Sequence, residues 1–167
     1  MNLDNAIDIA QTDTEISFSL VFDAPRELVF QTFSEAEHLQ KWWGPKFCPV
    51  SNITVDFKVG GEWRYSLQIP DGEERWAKAI YDEIVPNERI VFTDYLITPK
   101  GDVIKDFPSK KVTVTFDDTG GKTHMNVHVQ LTSVMERQKL VDLGFMPGFQ
   151  DALGNLRELL DQIKSKE

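Results

Sequence analysis

The side chains able to move protons or hold metals are few and scattered. Three histidines (His38, His124 and His128), the single cysteine Cys48, and carboxylate pairs such as Glu73-Glu74 and Asp117-Asp118 make up the candidates. His124 and His128 share one strand parity, opposite Met125, Val127, Val129 and Leu131. Four residues along a strand span about 13 Å, too far to share one metal ion. If the apolar set faces a core, these two histidines face solvent, and His38 reads as a helix-surface residue. Cys48 has no neighbouring histidine to take its proton, so it reads as a small buried side chain. The carboxylate pairs fall in turns, where solvated charge is ordinary. Gly121-Lys122-Thr123 has the ending of a phosphate-binding loop, but the first glycine of that motif would fall on Phe116, and a strand follows instead of a helix. Gly60-Gly61 is a tight turn with neither a basic residue nor a helix behind it to cradle a phosphate. No G-x-S-x-G, H-E-x-x-H, C-x-x-C or calcium-loop pattern is present. The sequence therefore names no catalytic residue, no metal ligand and no cofactor.

Its surplus is in rings. Eleven Phe, four Trp and three Tyr make up 11% of 167 residues, and large rings beyond what a core needs can line a cavity for an apolar ligand. The candidates for such a wall are Trp43, Phe57, Trp63, Tyr65, Trp76 and Phe92, followed by Tyr95, Phe116, Phe145 and Phe149, with Met125 and Leu153 between them. Arg64, Arg75 and Asp94 would orient a ligand only if their faces turn inward, which the mixed alternation around them leaves open. The expected partner is a small apolar or aromatic molecule. Subtracting 27 acidic from 18 basic side chains gives a net charge of -9, which repels nucleic-acid phosphates and anionic membranes. No run of eighteen apolar residues and no secretory leader is present, so a cytoplasmic protein is expected. A monomer and a homodimer both fit.

These residues need elements to hold them. Ile16, Phe18, Leu20 and Phe22 alternate as in a half-buried strand that stops at Asp23-Ala24-Pro25. Pro25 and Glu27 suit a helix start, predicting a helix to about Phe33. Ser34 and Glu37 have capping-box spacing for a second helix, which Gly44-Pro45 ends. Alternation returns at 52–58, 63–69, 74–84, 89–98, 111–116 and 125–131, with Gly60-Gly61, Pro70-Asp71-Gly72, Pro86-Asn87 and Thr119-Gly120-Gly121 among the turns between them. Such short turns permit only antiparallel neighbours, so the expectation is a meander within a sheet of about seven strands. Ser133 and Glu136 repeat the capping-box spacing. Phe149, Ala152, Leu153, Leu156, Leu159, Leu160 and Ile163 then form one stripe of a long helix from about Pro147 to Lys164. At this length a core needs no disulfide. The expected organisation is a polar lead over residues 1–13 and one domain over 14–167.

This α+β order resembles the helix-grip fold of the START-like, birch-pollen-allergen-like (SRPBCC) proteins. Local motifs resemble the family named for the C-terminal domain of the activator of heat-shock protein 90 ATPase. They are Ala24-Pro25-x-x-x-Val29-Phe30, Leu39-x-x-Trp42-Trp43-Gly44-Pro45, Asp56-x-x-x-Gly60-Gly61, Glu83-Ile84-Val85-Pro86, Glu88-Arg89-Ile90-Val91 and Gly148-Phe149 with Leu153, Leu156 and Leu160. Many members carry Trp where this chain has Phe149, which keeps a ring but removes an indole N–H. The resemblance implies a small-molecule cavity between the sheet and the last helix, with Trp43 favoured over Trp42 as its lining. It also implies two alternatives: a cyclase- or hydrolase-like enzyme, and a chaperone-regulating domain. The true activators have an additional N-terminal domain, whereas only about a dozen residues precede the first strand expected here.

Overall fold

The computed structural model describes residues 7–165. The chain runs through β1 (Asp8–Gln11), β2 (Glu15–Phe22), α1 (Arg26–Ser34) and α2 (Ala36–Trp42). It continues through β3 (Val50–Val55), β4 (Glu62–Gln68), β5 (Glu74–Val85), β6 (Arg89–Ile97), β7 (Lys110–Thr119) and β8 (Lys122–Gln130), and ends in α3 (Val134–Asp142) and α4 (Phe145–Ser165). All eight strands form one sheet in the order β1-β2-β8-β7-β6-β5-β4-β3. Every pairing in it is antiparallel.

The sheet has one strand more than the seven or so expected. The additional one is β1, four residues of the polar lead, paired from Asp8↔Ser19 to Gln11↔Ile16. A segment so short and polar offers no alternation to read, and a short polar strand suits an exposed sheet edge.

One face of the sheet holds the core. Ile16, Phe18, Leu20 and Phe22 of β2 are at most 2% exposed. Against that face lies α4, 21 residues and about 31 Å long at 1.5 Å per residue. Its buried set, Phe149, Ala152, Leu153, Leu156, Leu159 and Leu160, is the stripe that the sequence shows, and each buried leucine contributes about 2 kcal/mol. Ser133 caps α3 by accepting the Glu136 N–H at 3.1 Å. Ser34 does not cap α2. Glu35 is the N-cap, and the Ser34 hydroxyl turns back to donate to the Gln31 carbonyl.

The mixed pattern of β5 has a local cause. Ala77, Ala79 and Tyr81 point into the core, but the register shifts between Tyr81 and Glu83, and Ile84 then opposes the buried Ile90. A bulge of this kind inserts one residue and reverses the parity beyond it. On β6, Val91 and Ile97 are buried on the outer face. At Ile97 the chain after β6 doubles back, bridging Ile97 to Val103 and donating the Ile104 N–H to the Leu96 carbonyl at 2.9 Å.

Candidate functional site

Between the sheet and the start of α4 lies a chamber of about 420 Å³. Its floor consists of inward residues from five strands, among them Tyr65 and Leu67 of β4, Phe92 and Leu96 of β6, and Val112 and Val129 of β7 and β8. Its roof is Trp43, Phe145 and Phe149. The gap arises at Ala77, which stands opposite Tyr65 on one side and Leu96 on the other. A lone methyl between two large side chains lowers the floor there.

Trp42 and Trp43 divide the end of α2 between them. Trp42 is fully buried and donates its indole N–H to the Thr32 carbonyl at 2.9 Å. Trp43, one residue on, swings toward the chamber, its ring edge-on to Trp63 at 4.5 Å and to Phe149 at 5.9 Å. The chain can turn away immediately only because residue 44 is glycine, where a Cβ would lie 2.4 Å from the Cys48 carbonyl oxygen. Asn155 and Asp151 of α4 hold the turn, bonding the Gly44 carbonyl at 2.9 Å and the Lys46 N–H at 2.5 Å. This turn brings Phe47 and Cys48 to the rim, facing Ile69, Phe107 and Leu143. Phe47 and Leu143 are 63% and 51% exposed, so the chamber opens between these connections.

One polar cluster interrupts the apolar wall. Asp94 is 3% exposed and sits opposite Lys110, whose Nζ lies 2.7 Å from Oδ2 and 5.6 Å from the centre of the Phe145 ring. The Tyr65 hydroxyl stands 3.5 Å from each Asp94 oxygen, and the Trp43 ring meets the Tyr65 ring edge-on at 6.0 Å. Burial, and then the neighbouring Asp94 charge, pushes the Tyr65 phenol well above its ordinary range. Tyr81 is raised as well, by burial and then by Asp56, and its hydroxyl has no hydrogen-bond partner among the described residues. A phenol raised in the folded state stabilises the fold below its ordinary value near 10, and that contribution is lost as pH climbs through the folded value. Stability should therefore fall above pH 10, with a slope approaching about 2.7 kcal/mol per pH unit while both tyrosines remain protonated only in the fold. Denaturant titrations across that range measure it. Y65F and Y81F should each flatten the slope, and an unchanged slope in both would contradict the assignment.

Burial also raises the Cys48 thiol, opposed by Arg75, which disfavours the reactive thiolate. His124 and His128 lie on the outer sheet face, bonded to Ser19 at 2.6 Å and to Glu15 at 2.7 Å. His38 is less a surface residue than expected, with its side chain 15% exposed and Nδ1 buried without a hydrogen-bond partner. No group of three or more His, Cys, Asp or Glu among the described residues could hold a metal ion. No helix among them is long and apolar enough to cross a membrane.

Of the rings expected at a cavity, Trp43, Tyr65, Phe92, Phe145 and Phe149 line the chamber, as do Arg75 and Asp94. The rest lie elsewhere, each for a local reason. Trp63 backs Trp43 and is 1% exposed. Phe116 and Met125 have inward parity but sit farther along their strands, Phe116 against Phe30 and Phe33 of α1 and Met125 opposite Leu20. Phe57 packs on Phe30 and Tyr81, and Leu153 lies one turn beyond Phe149 in the closed core. Trp76, Tyr95 and Arg64 alternate with inward neighbours and face the other way. Arg64 pairs with Glu62 at 3.2 Å and packs beside Gly101. Several apolar lining residues, such as Phe47, Ala77 and Phe107, were not expected from the sequence, and the one charged residue that sequence reasoning missed is Lys110. It shares parity with Val112, Val114 and Phe116, and beginning that strand one residue earlier would have turned it inward.

Comparison with known proteins agrees with this architecture. A family model described as Activator of Hsp90 ATPase homolog 1-like protein matches residues 23–161. No curated protein matches the chain. Among solved structures, a protein from Arthrobacter aurescens is 22% identical with a TM-score of 0.88, covering 93% of this chain and 91% of that one. One from Mycobacterium smegmatis is 22% identical with a TM-score of 0.85, covering 93% and 97%. One from Staphylococcus epidermidis is 27% identical with a TM-score of 0.79, covering 92% and 93%. Because the family match runs from the turn after β2 almost to the end of α4, the chain belongs to the Activator of Hsp90 ATPase homolog 1-like family.

Proposed function

We propose that this protein binds a hydrophobic or aromatic small molecule in the chamber between the sheet and α4. The observation that carries this reading is the chamber itself. Its volume of about 420 Å³ falls in the usual range for small-molecule sites, and mostly apolar walls with a few placed polar groups are their usual composition. Removing ~300 Å² of apolar ligand surface from water would contribute roughly 7 kcal/mol before the costs of association. The neutral fluorescent probe N-phenyl-1-naphthylamine should bind the parent protein, with its emission enhanced and shifted to the blue. A77F and A77L, which raise the floor, should weaken that binding at least tenfold with the circular dichroism spectrum unchanged. A parent protein that binds no neutral apolar probe would overturn the proposal.

Tyr65 favours a second reading, a cyclase- or hydrolase-like enzyme. Its buried phenol stays protonated and lines the chamber, so it is able to donate a hydrogen bond to an oxygen on which negative charge develops. Turnover of aryl esters that is lost in Y65F while probe binding persists would favour the enzyme over the binding module.

A further inference from the structure

We propose that the molecule held in the chamber carries a hydroxyl on its apolar or aromatic body, and that Asp94 and Lys110 grip it together. The inference rests on the chamber being a binding site and specifies the chemistry of its occupant. An ionised carboxylate offers about four lone-pair positions. Asp94 is 3% exposed, yet its one close partner is Lys110, at 2.7 Å from Oδ2. The Tyr65 hydroxyl is equally far from both oxygens, 3.5 Å, at the outer limit of a useful hydrogen bond. Oδ1 of this buried residue therefore has one long contact, to Tyr65, as its donor, and folded proteins rarely leave a buried acceptor so poorly satisfied. Beside it, the Lys110 ammonium has three N–H groups, of which Asp94 engages one. Its remaining face lies toward the Phe145 ring on the chamber roof.

An acceptor and a donor side by side match a hydroxyl, which donates to Oδ1 and accepts from Nζ. Other head groups satisfy only half of the pair. An ether accepts from Lys110 but leaves Oδ1 unrelieved. A carboxylate sets a second negative charge beside a buried one, and an ammonium meets Lys110 as a like charge. Trp43, Phe92, Phe145 and Phe149 supply the apolar surround for the body. A site that hydrogen-bonds a hydroxyl discriminates strongly against analogues lacking it, because its own polar groups are then left unpaired.

Calorimetric titration of the full chain at pH 7 with 1-naphthol, 1-methoxynaphthalene and 1-naphthoate tests this. The naphthol should bind about tenfold more tightly than its methyl ether, and the naphthoate more weakly than either. In D94L/K110M, which removes both charges together, the naphthol and the ether should bind equally. If that variant does not fold, the three-ligand comparison on the parent decides alone. Equal affinities for naphthol and ether in the parent, or tightest binding of the naphthoate at the exposed Arg75, would overturn the hydroxyl assignment and leave the chamber a binding site. Failure of all three to bind would overturn both.

Discussion

K110M should destabilise the fold by about 3 kcal/mol, whereas D94L/K110M should cost little or even stabilise it. The asymmetry follows from what each change leaves behind. Asp94 and Lys110 face one another across β6 and β7 at 2.7 Å, with side chains 4% and 18% exposed. Removing the ammonium alone strands a carboxylate that is out of water and has only the distant Tyr65 hydroxyl to satisfy it, a loss of about 3–5 kcal/mol in comparable buried pairs. The lower end applies because Lys110 keeps some contact with solvent. Removing both charges eliminates two desolvation costs along with one attraction, and apolar replacements of such pairs are often neutral or stabilising. Urea unfolding of the parent, both single variants and the double variant completes the cycle. A loss in D94L/K110M equal to the sum of the two single losses would mean that the pair is not coupled as the distance implies.

W42A should be comparably severe, at about 3–5 kcal/mol. Its ring is wholly buried and meets Phe33 edge-on at 4.8 Å, so truncation opens a void between α1 and α2 that neighbours can only partly fill. It also deprives the Thr32 carbonyl of the indole donor. W42F separates the two contributions by restoring most of the volume without the N–H, and should cost roughly 1–2 kcal/mol. Thermal or urea unfolding measures both, and a loss below about 1 kcal/mol in W42A would show that the two helices repack without this anchor.

The strands whose alternation is clean, β2 and β8, were readable from sequence because a simple antiparallel pairing keeps Phe18 and Val127 on one face and Ser17 and His128 on the other. The long helix was readable from Phe149 to Leu160 for the same reason at a different period. The chamber was readable only in part. Parity tells which face a residue occupies but not how far along the strand the covering helix ends. Phe116 and Val112 therefore carry the same sequence signal, although one lies under α1 and the other beneath the open space. Nor does sequence alone announce the bulge at Tyr81/Glu83 or the return of the chain over Ile97, both of which obscure β5 and β6. Ala77 shapes the chamber by what it lacks, and a small side chain in a strand looks like any other core alanine.

The floor and rim of the chamber differ mechanically. Ala77 belongs to a strand hydrogen-bonded on both sides, to β4 and β6, so the floor cannot yield to a larger guest without breaking a ladder. The rim, from Phe47 to Leu143, is built of connections between elements, where local opening requires far less free energy than global unfolding. Goodness of fit is thus decided by the sheet, while the time a guest spends inside is decided by the connections around the entrance. Residence time and equilibrium affinity are therefore encoded in separate stretches of this chain, and each can drift without the other.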